Sequence, residues 1–301
     1  RKVMDKPSHF NSGKILLHFG AVDWQTTVYI NKKKIGVHTG GYSGFSFDVT
    51  SDIKETDNEI IIGVFDPTEN GGQPFGKQQI GKFGNPGGDH YSPASGIWQT
   101  VWMENVPQQY IQKLKISADM KSVSVNVSST TTGEKVTFSV LDNGKEVANA
   151  TGKSGSITTI VVPNPKLWGP LQPNLYDLKI TLESGDTVTS YFGMRTVTKG
   201  KDAKGVTRPL INGNFTFLAG WLDQSFWPDG IYTAPTYEAL AYDLKALDTF
   251  GMNFVRLHQK VNPEVWYHIA DTLGIIVQQD MIQHFDISTT PDADLYHDDL
   301  K

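Results

Sequence analysis

No cysteine occurs in the 301 residues, which excludes disulfides and thiolate metal sites. The compartment stays open on that count, because secreted proteins of this size manage without bridges. No apolar run approaches the length that spans a bilayer, so no membrane contact is expected. Basic residues are too few and too scattered for a nucleic-acid footprint. The formal net charge is -5 and the isoelectric point is near 5.9, and the basic run Lys32-Lys33-Lys34 reads as a hairpin tip. No signal peptide opens the chain, and with Arg1 in place of an initiator Met the expectation is a true amino terminus that lies upstream or was removed. A secreted, extracellular protein is the expectation, and the sequons at Asn126, Asn149 and Asn214 are compatible with it.

What is present divides into two β blocks and a β/α segment. Residues 1–107 carry short strand-like runs, among them Ile15-Leu-Leu-His-Phe19, Thr27-Val-Tyr-Ile30, Glu59 to Val64 and Ile97 to Met103, separated by Gly, Asn and Asp turns. A β-sandwich or jelly roll fits this spacing. Asp66 to Ser95 has no period and holds Phe75, Phe83, His90 and Tyr91. So long a loop either drapes over a domain junction or touches ligand. Its Gly84-Asn-Pro-Gly-Gly88 string and Gly76-Lys77 pair lack the Ser or Thr, the strand and the helix of a phosphate cradle. Residues 108–198 alternate apolar and polar positions in five runs, with Asp142-Asn-Gly144 as a hairpin turn, and predict an immunoglobulin-like sandwich. Lys199 to Gly205 reads as a linker.

Residues 199–301 change period. Thr216 to Asp229, Phe254-Val-Arg-Leu-His258 and Ile275 to Asp280 each begin apolar and end in polar or aromatic residues, with two helical patterns between them. Thr236 caps the first helix, whose stripe is Leu240, Leu244, Leu247 and Phe250 before Gly251. Asn262 and Pro263 open the second, whose stripe is Val265, Ile269 and Leu273 before Gly274. Parallel strands of this kind collect ligands at their carboxyl ends. There Asp223, Trp227, Arg256, His258 and Asp280 converge.

The order of these blocks, and a set of strings within them, resembles the family 2 glycoside hydrolases, the β-galactosidases, β-glucuronidases and β-mannosidases. The strings are Val22-Asp23, Val28 to Asn31, Gly36 to Tyr42, Phe47 to Thr50, Ser95 to Trp98, Leu167-Trp-Gly-Pro170 with Asn174 to Tyr176, Phe192-Gly-Met-Arg195, Ile211-Asn-Gly213, Asn253 to His258 and Ala270 to Ile275. The resemblance implies a galactose-binding-like jelly roll over 1–107, an immunoglobulin-like sandwich over 108–198, and the first three β/α units of a TIM barrel over 199–301. It also implies a retaining hydrolase of β-glycosides without cofactor, whose two carboxyl groups stand about 5–5.5 Å apart. The family's glutamates follow its fourth and seventh barrel strands. A closed barrel takes about 250 residues and roughly 100 follow the linker here, so those glutamates are expected beyond Lys301. The chain is then an internal segment, short of the first sandwich strands, that supplies one wall of the active site. Its partners would be a carbohydrate substrate and either the remaining barrel or a second copy in a homo-oligomer. By resemblance Arg256 holds the nucleophile ionised, His258 and Asp280 bind sugar hydroxyls, and Trp227 stacks on a sugar face. The loop Asp223 to Asp229 and the Gln278-Gln-Asp280 ending depart from well-studied members.

Other readings of the same residues stay open. Arg256 and His258 could form a structural ion pair, Asp280 could cap a loop, and Trp227 could pack on Phe226 and Tyr232. Trp24, Trp98, Trp102, Trp168 and Trp266 are expected in cores. His258, His268, His284 and Asp280 lack metal-site spacing, so no metal is expected. An Asp223 and Asp280 dyad and a nucleotide-binding β/α domain are weaker alternatives. The competing function is a non-catalytic carbohydrate-binding module or inactive fragment, with the aromatic loop as a lectin-like surface.

Overall fold

The computed structural model describes residues 1–82 and 88–282; Phe83, the string from Gly84 to Gly87, and His284 lie outside them. Two antiparallel sheets face each other in the first block. One runs in the order Lys2–Met4, Asn58–Phe65, Gln25–Ile30, Lys33–Thr39, and the other Phe45–Asp48, Lys14–Phe19, Val101–Val106. The period of two does the sorting: Thr26, Val28 and Ile30 are all fully buried, while the residues between them are not. At the basic hairpin, Asn31 (φ 51) and Lys32 (φ 70) form the two-residue turn and Lys33 already pairs with Ile30.

Two expectations fail here. The run from Ile97 to Met103 is broken into Gly96–Ile97 and Val101–Val106, because Trp98 turns inward and donates its Nε1–H to the Gly41 carbonyl at 2.8 Å. Trp102 is not in the core. It is 46% exposed, on the outward side of its strand, and stacks on His18 with centroids 4.8 Å apart.

The middle block is a second sandwich, with sheets Ile111–Ala118, Ser122–Ser129, Ile157–Val161 and Lys145–Lys153, Lys135–Asp142, Tyr176–Leu182, Thr187–Phe192. Val123, Val125, Val136, Phe138, Leu178 and Ile180 fill the space between them. Residues 199–205 are not a linker. Val197–Lys201 pairs with Thr207–Ile211, and the Asp202 carboxylate accepts from Lys204 and Val206 amides at 2.9 Å to close the turn.

The β/α segment is β1 (Gly220–Asp223), α1 (Tyr237–Thr249), β2 (Phe254–Leu257), α2 (Glu264–Leu273) and β3 (Ile276–Gln279). The three strands are parallel in the order β1-β2-β3. A β-carbon at Gly220 would lie 1.6 Å from the Phe254 carbonyl oxygen, so the close pairing of β1 with β2 requires glycine there. Thr236 caps α1 by accepting from the Ala239 amide at 3.1 Å. Asn262 does not cap α2: Pro263 holds the cap position, and the Asn262 amide is drawn to Ser225 Oγ at 2.9 Å instead. The buried stripes are also shifted. Phe250 is 70% exposed and Val265 38%, while Ala241, Leu244 and Leu247 on α1 and Trp266, Ile269 and Ala270 on α2 are buried against the sheet.

Asp271 on α2 fastens the middle sandwich to this segment. Its carboxylate pairs with Arg195 Nη2 at 3.0 Å and accepts from the Tyr191 hydroxyl at 3.1 Å. Its backbone carbonyl accepts from Trp168 Nε1 at 2.7 Å, and the Arg195 guanidinium stacks 4.3 Å over the Trp168 ring. Burial, and then the Asp271 charge, pushes the Tyr191 hydroxyl up, so the tyrosine stays a neutral donor. Asp271→Ala leaves both Arg195 and Tyr191 without their acceptor and is expected to lower unfolding free energy by about 2–3 kcal/mol. Urea denaturation reads this, and a change below about 0.5 kcal/mol would mean that the junction is held elsewhere.

Candidate active site

Arg256, His258 and Asp280 come together at the carboxyl ends of β2 and β3. Arg256 ends its run one residue before the close of β2, His258 follows it, and Asp280 follows β3. Parallel pairing sets their heights: the His258 amide donates to the Asp223 carbonyl at 2.8 Å and the Asp280 amide to the Leu257 carbonyl at 3.0 Å. Alternation then turns Arg256 out of the core that holds Val255 and Leu257. Arg256 Nε lies 2.9 and 3.1 Å from the two Asp280 oxygens, and Nη2 lies 2.8 Å from Oδ2. The pairing is charge-assisted and forked, and it pushes the Arg256 guanidinium further up. His258 Nε2 is 3.7 Å from Asp280 Oδ2. Burial, then the Lys77 charge, lowers the imidazole below its usual value, against the opposing pull of Asp280. His258 Nδ1 is buried with no hydrogen-bond partner among the described residues. The result is a neutral imidazole beside a fixed carboxylate, able to hold or pass a proton.

Asp223 belongs to a neighbouring feature. Its Oδ1 accepts from the Ser225 amide at 2.6 Å and from Ser225 Oγ at 2.9 Å, which closes a tight turn after β1. A cavity of about 440 Å³ opens there, walled by Tyr91, Asp223, Gln224, Ser225, Phe226 and Asp243. Tyr91 stacks on Phe226 with centroids 4.2 Å apart. Loss of solvent at this wall, then repulsion by Asp223, raises the Asp243 carboxyl. Trp227 is placed differently from the others. It pairs with Ile231 across a tight backbone turn (2.8 and 3.1 Å), while Phe226, not Trp227, packs edge-on to Tyr232.

The long loop of the first sandwich closes this region from the side. Gln78 bridges to Tyr91, and its Nε2 donates to Asp23 at 2.8 Å. At Gly76 (φ +61) a β-carbon would meet the Gln259 carbonyl at 2.5 Å, so the loop backbone lies directly on the segment after β2. Trp98, Tyr42 and Tyr232 form a shared core beneath, with the two tyrosine hydroxyls 3.0 Å apart. Lys260, which the sequence pattern did not single out, is 1% exposed in the middle of it. Burial lowers its ammonium to about 7. The available signal was its place two residues after His258, in a run otherwise apolar or amide. Among the described residues no group of three or more His, Cys, Asp or Glu is arranged to hold a metal. No helix there is long and apolar enough to cross a membrane.

Two adjoining family models match the chain: the sugar binding domain of glycosyl hydrolases family 2 over residues 1–107, and glycosyl hydrolases family 2 over residues 106–195. A putative beta-glucuronidase of Formosa agariphila is 30% identical over 281 residues, covering 88% of this chain and 32% of the relative. A beta-galactosidase of Thermoanaerobacter pseudethanolicus is 27% identical, covering 93% of this chain and 39% of the relative. The chain thus spans about a third of the curated relatives it matches. The solved b-glucuronidase from Ruminococcus gnavus in complex with D-glucuronic acid superposes with a TM-score of 0.78 at 21% identity, over 93% of this chain and 50% of that one. That likeness supports the fold. With the two family models together matching residues 1–195 and glycosidases among its relatives, the chain belongs to glycosyl hydrolases family 2.

Proposed function

We propose that the chain supplies two accessory sandwiches, the second immunoglobulin-like, and one wall of the active site of a retaining β-glycoside hydrolase, with β1 to β3 opening its TIM barrel. The observation that carries this reading is the Arg256, Asp280 and His258 cluster at the carboxyl ends of adjacent parallel strands. The relatives are named for glucuronide, galactoside and glucosaminide hydrolysis, so the common denominator is the β-glycosidic bond.

In this reading Asp280 fixes the Arg256 guanidinium, whose five donors exceed what one carboxylate uses. The remainder serve the nucleophilic carboxylate contributed by a later strand, and keep it ionised for attack on the anomeric carbon. His258, as a neutral imidazole, and the Asp280 carboxylate bind sugar hydroxyls. Asp223 and the Tyr91 and Phe226 pair offer an acceptor and an aromatic surface to a further part of the substrate, and Trp227 stacks at its rim. The test is hydrolysis of a panel of aryl β-glycosides by the full-length protein, with proton NMR of the first-formed product. The β-anomer is expected. The α-anomer would overturn retention, and saccharide binding without turnover would replace the hydrolase with a non-catalytic carbohydrate-binding module.

A further inference from the structure

The loop between β1 and α1 holds two residues in the left-handed backbone region, Ser225 (φ 52) and Ile231 (φ 52), and the facing loop after β2 holds a third, Gln259 (φ 62). None is glycine, and Ile231 is β-branched, which makes the conformation unfavourable. Such residues persist where the surroundings over-determine them, and they gather at ligand-handling sites. Lys260 sits among all three. Its Nζ donates to the Ser225 carbonyl at 2.6 Å and the Tyr232 carbonyl at 2.8 Å, at opposite ends of the strained loop. The same nitrogen lies 5.3 Å from the Trp98 ring centroid and 4.7 Å from that of Tyr232. Its partners are carbonyls and rings rather than a carboxylate, which suits a group that places backbone rather than one that neutralises charge.

We propose that Lys260 is a positioning residue: it clamps the first β/α loop between the second loop and the amino-terminal sandwich, and so fixes Asp223, Gln224 and Phe226 on the wall of the saccharide cavity. The link is short. Lys260 holds the Ser225 carbonyl, and the Ser225 amide and hydroxyl hold Asp223 Oδ1 at 2.6 and 2.9 Å. Asn262 adds a bond to Ser225 Oγ, and Thr233 Oγ1 donates to the Trp98 carbonyl at 2.7 Å, so both ends of the loop are tied. The saccharide in this statement rests on the glycosidase reading; the clamp rests on the geometry alone.

Lys260→Met keeps the aliphatic stem and removes the donors. In the full-length protein, amide hydrogen exchange at Trp227 and Ile231, which bond each other across the loop, is expected to accelerate about tenfold or more, with Val255 and Leu257 in β2 unchanged. On an aryl β-glycoside that the wild type hydrolyses, KM is expected to rise about fivefold or more with kcat within about twofold. Lys260→Gln, which keeps one donor group, is expected to fall between the two, and it is read in the same way if Lys260→Met does not fold. Unchanged loop exchange would overturn the clamp, and an unchanged KM with a falling kcat would overturn the positioning role. Absence of turnover in the wild type would instead sink the glycosidase reading, with the exchange measurement still deciding on Lys260.

Discussion

Arg256→Ala in the full-length protein is expected to lower kcat/KM on aryl β-glycosides by about 10²–10³-fold, the scale seen when a preorganised donor to developing charge is removed. Two effects add. The nucleophile loses the charge that keeps it ionised, and Asp280, whose side chain is 15% exposed, loses its forked partner. Arg256→Lys is expected to recover little, because both Nε and Nη2 reach Asp280 and a lysine offers one nitrogen. Asp280→Asn should lose activity as well, and the double variant should lose less than the sum of the two, since each single change already breaks the same pair. Circular dichroism should stay unchanged, because the guanidinium is outside the β2 core of Val255 and Leu257. Retention of most of kcat/KM by Arg256→Ala, or strict additivity in the cycle, would remove Arg256 from the active site.

The elements that were legible in the sequence are those whose signal is local. The run from Thr27 to Ile30 lies within its strand, Asn143 (φ 50) and Gly144 (φ 78) made their hairpin, and Thr236 capped α1. Arg256, His258 and Asp280 could be brought together because strand ends in a parallel sheet share an edge. What failed to show depends on partners far along the chain. Asn262 looks like a cap until Ser225, 37 residues earlier, claims its amide. Trp102 looks like core until its strand's outward face is known, and Val265 yields the buried stripe to Trp266, which belongs to one core with Leu244 and Leu247 of α1 and Val255 and Leu257 of β2. Lys260 was invisible for the same reason: its worth lies in carbonyls and rings contributed by two other segments.

The family's strings, too, make physical sense only in three dimensions. Trp168, Arg195 and Asp271 lie in three separate strings and form one junction, and Asn212 of a fourth donates to the Trp168 carbonyl at 2.9 Å. Gly41 and Tyr42 in one string meet Trp98 in another, and the pair supports Tyr232. Much of the resemblance therefore marks how the two sandwiches are docked on the β/α segment rather than the chemistry itself. The docking still bears on the chemistry, because Trp98 and Tyr232 are the rings beneath Lys260.

Stability should record that burial directly. Lys260 titrates near 10.5 when free and falls to about 7 in the folded protein. Between those values the unfolded chain binds one proton more than the folded one, so stability rises with pH across this window and is lost again as pH falls toward 7. One such proton is worth about 1.4 kcal/mol per pH unit at full difference, and because the folded lysine is still half protonated at pH 7 the expected gain is about 2 kcal/mol between pH 7 and pH 9. The absolute stability of Lys260→Met is a poorer guide, because removing a buried ammonium is favourable while stranding the Ser225 and Tyr232 carbonyls is not, and the two are of similar size. Their difference does not affect the slope. Urea unfolding at a series of pH values should show the rise in the wild type and its loss in Lys260→Met, with other titrating groups cancelling in the comparison. Parallel curves for the two proteins would mean that Lys260 keeps an ordinary ammonium in the folded state, reached by water that the packing of Trp98 and Tyr232 should exclude.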